Sequence, residues 1–239
     1  MRAVLWGANG AMGKLIDGLL GSEVVGRVSI DGENGVAVSG EALGDVGADT
    51  VIDFSHHSAV FDVLSYAEKH ACAAVIGTTG HTPEEKAAIF AAAERIPVFY
   101  SGNMSLGIAV LCSLAKQAAA AFPDADIEIL EIHHNRKADA PSGTAHMLFN
   151  AIRQVRPGAV ECCGRAGEGK RKKEEIGVAS LRLGGVVGVH EVHIHTGNQS
   201  LTLRHEAITR DMLAEGAVDA ALFMENKPAG LYSMDDLLK

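Results

Sequence analysis

The chain has 239 residues, 47% hydrophobic and 21% charged, enough for one large or two small cores. A formal net charge of −9 excludes general nucleic-acid binding, which needs a basic surface to neutralise phosphates. No apolar run reaches membrane-spanning length, the first is too short for a signal peptide, and Cys72, Cys112, Cys162 and Cys163 show no C-x-x-C spacing, so a cytoplasmic protein with reduced thiols and no membrane partner is expected.

Ala3 to Trp6 reads as an apolar strand that turns on glycine. Met12, Leu15, Ile16, Leu19 and Leu20 then follow helical spacing. "EVVGRVSID" reads as a second strand ending at Asp31, and "DTVIDFS" as a third, followed by a helix from Ser58 to His70. "CAAVIGTTG" is a fourth strand, and "TPEEKAAIFAAAE" is a helix with a Thr N-cap, a Pro at its first position and acids in its first turn. "IPVFYSGN" supplies a fifth strand. Strands alternating with helices at this rhythm predict a doubly wound parallel sheet.

The pattern changes after Asn103. A helix from Ser105 to Ala121 leads to the strand "DIEILEIHH", and "TAHMLFNAIRQV" is helical. "KRKKEEIGVASLRLGG" and "VGVHEVHIHTGNQSLTLRHEA" read as antiparallel strands, before the chain returns to helix from Arg210. The expected architecture is α/β: a Rossmann-like doubly wound domain (1–104 and 211–239), with an inserted α+β mixed-sheet domain (105–210).

Two motifs carry chemistry. Gly7, Gly10 and Gly13 form G-x-x-G-x-x-G between first strand and first helix, with Asn9 where a dinucleotide fingerprint more often has its middle glycine. The physical need is still met, with a tight turn and a helix N-terminus aimed at a pyrophosphate, and Asp31 ends the second strand where a ribose-binding acid belongs. Gly77, Thr78 and Thr79 end a parallel strand and would face the same crevice. The second motif is "EIHHNRKADAPSGTA", residues 131–145. His133 and His134 lie on opposite faces of a strand end, Lys137 follows, and Ser142-Gly143-Thr144 opens a helix, a ready anion site. An imidazole beside such a site suits reduction of a small carboxylated molecule.

This segment resembles the signature of the 4-hydroxy-tetrahydrodipicolinate reductase (dihydrodipicolinate reductase) family. "GANGAMG", "VIDFS", "VIGTTG", "SGNMSLG", "LRLGGVVGVHEV" and "GLYSMDDLL" match the family in the same order, over essentially the whole chain. The resemblance implies reduction of hydroxy-tetrahydrodipicolinate to tetrahydrodipicolinate with NADH or NADPH, in diaminopimelate and lysine biosynthesis, by a homotetramer acting on a small dicarboxylate. It implies His133 as acid and Lys137 as second catalytic or substrate-polarising group, with His134, Ser142, Gly143 and Thr144 binding substrate. It implies Gly7, Ala8, Asn9, Gly10, Ala11, Met12, Gly13, Asp31, Gly77, Thr78, Thr79, Ser101, Asn103 and Met104 as the cofactor set. Many members have Phe where this chain has Met104, and "GENG" after Asp31 lacks the arginine some members carry. The rival readings are another Rossmann-fold amino-acid dehydrogenase and a non-catalytic nucleotide sensor.

His190, His193, His195 and His205 read as sheet-surface histidines, with no carboxylate or cysteine spaced to complete a metal site. "GKRKKEE", residues 169–175, reads as a solvated loop that could draw in an anion.

Overall fold

The computed structural model describes residues 1–239 except the side chain of Asn34. In chain order the elements are β1 (Ala3–Trp6), α1 (Ala11–Leu20), β2 (Val24–Val28), α2 (Gly40–Leu43), β3 (Thr50–Asp53), α3 (Val60–Lys69), β4 (Ala73–Ile76), α4 (Pro83–Ala92), β5 (Pro97–Tyr100) and α5 (Leu106–Ala121). They continue with β6 (Asp126–His133), α6 (Gly143–Arg153), β7 (Val160–Cys163), β8 (Glu175–Arg182), β9 (Gly188–His195), β10 (Ser200–Ala207), α7 (Asp211–Phe223), β11 (Gly230–Tyr232) and α8 (Met234–Leu237). Two compact units result: Met1–Ser105 with Asp211–Lys239, and Leu106–Arg210.

The first unit carries a six-stranded parallel sheet in the order β11-β5-β4-β3-β1-β2. β1, β3 and β4 are buried at every residue, as expected of parallel strands covered on both faces. Strand β2 stops at Val28, short of the expected Asp31. The chain folds back there: Ser29 donates its N–H to the Ala37 carbonyl, and Gly32, at φ +59°, closes a turn onto Ser29. Thr82, Pro83 and Glu85 start α4 as read, with Glu85 completing a capping box.

The second unit holds a five-stranded mixed sheet, β10-β9-β6-β8-β7. β9 runs antiparallel to β6 and β10, but β8 is parallel to both β6 and β7, against the antiparallel expectation. The cause is a crossover: β8 is reached through α6 and β7, not through a hairpin. Ile127, Ile129, Ile176, Val178, Val192 and Ile194 pack with α5 and α6 on one face. Burying each contributes roughly 2 kcal/mol. Past α6, Arg156 donates to the carbonyls of Ala119 in α5 (3.4 Å) and of Phe122 and Ala125 (2.8 Å) in the link to β6. Among the described residues no helix is long and apolar enough to cross a membrane.

Candidate active site

The candidate residues divide between the two units. In the first, Gly7 holds φ +81°, and a Cβ there would fall 2.3 Å from the Phe54 carbonyl oxygen. A Cβ on Gly13 would fall 2.3 Å from the Gly7 carbonyl oxygen. Both positions therefore require glycine, and the turn brings Ala8, Asn9 and Gly10 to the start of α1. No side chain caps that helix, so its first-turn N–H groups are left to an external acceptor. Ala11 and Met12 form its first turn.

A cavity of about 580 Å³ opens beside this turn, lined by Gly7, Asn9, Gly10, Ile30, Asp31 and Val38 on one side and by residues after β3 on the other. Asn9 Nδ2 donates to Asp31 Oδ1 at 2.6 Å and to the Glu33 carbonyl at 3.3 Å. That bond from Asn9 is the main cause holding the Asp31 carboxyl below its usual range. Ile30, 93% exposed, and the exposed Val38 give the cavity an apolar stretch of wall.

The Gly77-Thr78-Thr79 loop follows β4. The Phe54 ring lies against Gly77, whose Cβ would fall 2.3 Å from it. Thr78 is buried and its hydroxyl accepts from Ser55 N–H at 2.9 Å. Ser101 donates its hydroxyl to the Asn103 carbonyl at 2.7 Å, and Asn103 Oδ1 accepts from Ser105 N–H at 2.9 Å. Met104 is buried, its carbonyl pressed by Gly216. Residue-by-residue reading passed over Asp53. This buried carboxyl accepts from Ser55 N–H (3.0 Å) and Oγ (2.5 Å), and burial pushes it upward. An acid closing a fully buried strand is the signal that marks it.

In the second unit β6 alternates: Ile127, Ile129, Glu131 and His133 share the face that α5 and α6 cover. Glu131 has no exposure, yet it stays charged, its carboxyl held down at about 2 despite the opposing cost of burial. Arg182 reaches it with both terminal nitrogens at 2.9 Å, Ser142 N–H at 3.1 Å, and His133 Nδ1 at 2.5 Å. Glu131 was a missed residue. An acid in phase with two core isoleucines is the signal that marks it.

His133 meets the His190 ring edge-on at 5.0 Å. Gly188 lies beside its outer nitrogen, and a Cβ there would come within 3.2 Å of Nε2. His190 corrects the sheet-surface expectation: it pairs in register with Glu131, and it is buried. Burial, then the His133 charge, press it down to about 4, so it is neutral. His134 lies just past the strand, pressed downward by burial and then by Arg136 and Arg210. Lys137 Nζ donates to Asp139 at 2.7 Å, and its N–H bonds the His134 carbonyl at 3.1 Å.

Ser142 is the N-cap of α6. Its buried hydroxyl accepts from Ala145 N–H and meets His190 Nε2, both at 3.2 Å, so its oxygen is occupied within the protein. Gly143 is exposed, with open space where a Cβ would stand, and Thr144 follows it in the first turn. The basic loop is less free than read: Arg171 pairs with Asp126 at 2.7 Å and Glu128 at 3.4 Å, and Lys173 with Asp124 at 2.7 Å. The arrangement can move a proton at His133 Nε2 and hold an anion at the start of α6.

Comparison with known proteins bears on both halves. Residues 1–104 match the family described as "Dihydrodipicolinate reductase, N-terminus", and residues 107–238 match "Dihydrodipicolinate reductase, C-terminus". The 4-hydroxy-tetrahydrodipicolinate reductase of Caldanaerobacter subterraneus subsp. tengcongensis is 41% identical, over 100% of this chain and 98% of its own. That of Rickettsia canadensis is 43% identical over 80% of this chain and 79% of its own. The solved structure of a dipicolinate-bound dihydrodipicolinate reductase from Paenisporosarcina sp. TG-14 superposes with a TM-score of 0.79 at 25% identity, covering 98% of this chain and 97% of that one. On these matches, which span both units, the chain belongs to the dihydrodipicolinate reductase family of oxidoreductases.

Proposed function

We propose that this chain reduces 4-hydroxy-tetrahydrodipicolinate to tetrahydrodipicolinate, in diaminopimelate and lysine biosynthesis, with His133 as proton donor. The observation that carries the reading is one buried carboxylate serving two groups. Glu131 accepts from His133 Nδ1 at 2.5 Å and from Ser142 N–H, at the head of α6, at 3.1 Å. A dicarboxylate that must be protonated needs both an oriented acid and an anion site.

The first unit fits a nicotinamide dinucleotide, because Gly7 and Gly13 admit no side chain and the adjoining cavity has an exposed apolar wall at Ile30. Bound there, NADH or NADPH supplies the hydride. Gly7, Ala8, Asn9, Gly10, Ala11, Met12 and Gly13 would hold its pyrophosphate, and Asp31 its adenosine ribose. Gly77, Thr78, Thr79, Ser101 and Asn103 would line the nicotinamide side, with Met104 packed beneath.

Overall the ring loses water and gains one hydride and one proton. Lys137, Gly143 and Thr144, with the N-terminus of α6, hold a ring carboxylate and fix the ring's orientation. Ser142 serves by capping that helix, and His134, held neutral, offers a hydrogen bond in place of a charge. His133 Nε2 delivers the proton that quenches the electron density left on the ring. The sheet face opposite α5 and α6 presents Leu130, Ile132 and Leu181, which supports assembly into a homotetramer.

Nicotinamide oxidation, with substrate generated in place by the preceding synthase, tests the reading. Turnover dependent on that synthase is expected. Oxidation driven equally well by a simple amino or keto acid would replace this reading with another dehydrogenase activity.

A further inference from the structure

Glu131 sits where the apolar pattern of β6 calls for a third isoleucine. An isolated carboxylate there would be costly, and an apolar residue would pack without that cost. Its four hydrogen bonds come from three residues. His133 lies two residues along the same strand, Arg182 on β8, and Ser142 at the head of α6. Arg182 also donates to the Asp139 carbonyl at 2.6 Å, tying down the loop that carries Lys137. One carboxylate therefore touches, directly or through Arg182, His133, the head of α6 and the loop that carries Lys137.

We infer that Glu131 is the positioning residue of the reaction: it keeps a proton on His133 Nδ1 in both charge states, so that Nε2 is the nitrogen that takes up a proton from water to form the imidazolium and then delivers it to the ring. A charged carboxylate is acceptor-only, so whatever nitrogen faces it must carry hydrogen. Nδ1 faces it at 2.5 Å. The other groups near His133 do not compete for Nδ1. Arg182 is engaged with Glu131, neutral His190 meets the imidazole edge-on and bonds Ser142, and Lys137 pairs with Asp139. His205, opposite His190 in β10, lies one strand further away. The arrangement has the logic of a carboxylate–imidazole pair in acid–base enzymes, where the acid fixes tautomer and direction without itself taking the proton.

The inference rests on His133 as the acid, and its first test is read without turnover. Imidazole ¹⁵N shifts of His133, assigned with a His133→Asn variant, should show neutral His133 protonated at Nδ1 in the wild-type enzyme. A neutral form protonated at Nε2 overturns the inference, whatever the kinetics. Glu131→Gln should release the tautomer preference and lower kcat at least a hundred-fold. KM should rise much less, and NADH affinity, measured by fluorescence, should stay unchanged. A folded Glu131→Gln with wild-type kcat and the Nδ1 tautomer intact also overturns it. Should that variant fail to fold, the wild-type tautomer decides alone. If His133→Ala keeps wild-type turnover, the proposed proton donor fails, and the tautomer measurement still decides what Glu131 does.

Discussion

Asn9 and Asp31, 22 positions apart, are joined by a 2.6 Å hydrogen bond that ties the glycine turn to the loop after β2. That bond and the Glu33 N–H (3.2 Å) both fall on Oδ1 and hold the carboxyl below its usual range, and Asp31 lines the cavity. A ribose with two hydroxyls can donate to it, whereas a 2′-phosphate meets like charge. "GENG" at 32–35 adds Glu33 and no cation. The enzyme is expected to prefer NADH with measurable NADPH use. Asp31→Ser should shift the ratio of kcat/KM values toward NADPH by roughly ten- to a hundred-fold, about 1.4–2.7 kcal/mol. A wild-type preference for NADPH at matched ionic strength would mean that a cation elsewhere dominates.

His133→Ala and Lys137→Ala should each lower turnover by roughly two to four orders of magnitude, the usual scale for acid–base groups. Nucleotide affinity should stay put, since neither side chain belongs to the glycine turn. Wild-type turnover in either variant removes that residue from the mechanism.

Pyridine-2,6-dicarboxylate presents both carboxylates without a reducible ring carbon, and should compete with substrate. Thr144→Val deletes a hydroxyl in the first turn of α6 and should weaken that inhibition several-fold, about 1 kcal/mol for one hydrogen bond. Unchanged inhibition would move the carboxylate site, with Arg210 the next residue to replace.

Acid should destabilise the protein in two successive windows. His190 is pressed down to about 4 in the fold, against about 6.5 unfolded. The unfolded chain binds that proton first, so stability falls as pH drops from about 6.5 to 4. Glu131, held at about 2, is the same case lower down: its contribution is full above its unfolded value of about 4.3 and is lost towards pH 2. Each window is worth on the order of 3 kcal/mol at most. His190→Gln should flatten the upper window only, read as Tm against pH. An identical profile in that variant would assign the upper window to another group.

Four copies of the 25.0 kDa chain should travel together at micromolar concentration in light scattering. Leu181→Arg places a charge on the open sheet face, 43% exposed at that residue, and should dissociate the assembly. A wild-type monomer would refute the tetramer.

Legibility in the sequence followed how local each determinant is. The glycine turn and the start of α4 are written in neighbouring residues, so they read correctly. Strands β7 and β11, four and three residues long, have too few positions for any period to show. The direction of β8 depends on what lies between it and its partner, which alternation within β8 does not encode. His190 and His193 look alike in sequence. Register decides between them, because only His190 falls opposite Glu131, inside the core, while His193 faces out beside Glu128. The same parity places Glu131 inward with Ile127 and Ile129, so the central acid of the half-site was visible as a break in an apolar rhythm.

Arg156 has a consequence for how the second unit opens. The last carbonyls of a helix normally fray into solvent, but Ala119 of α5, and Phe122 and Ala125 in the link that follows it, accept from a guanidinium anchored just past the end of α6. Loosening the chain past α6, where Arg156 N–H bonds the Ile152 carbonyl, would release the guanidinium from the end of α5. Amide hydrogen exchange near Phe122 and near Ile152 should therefore proceed at one common rate, as a single cooperative opening. Arg156→Ala should split that rate in two, with the end of α5 exchanging first.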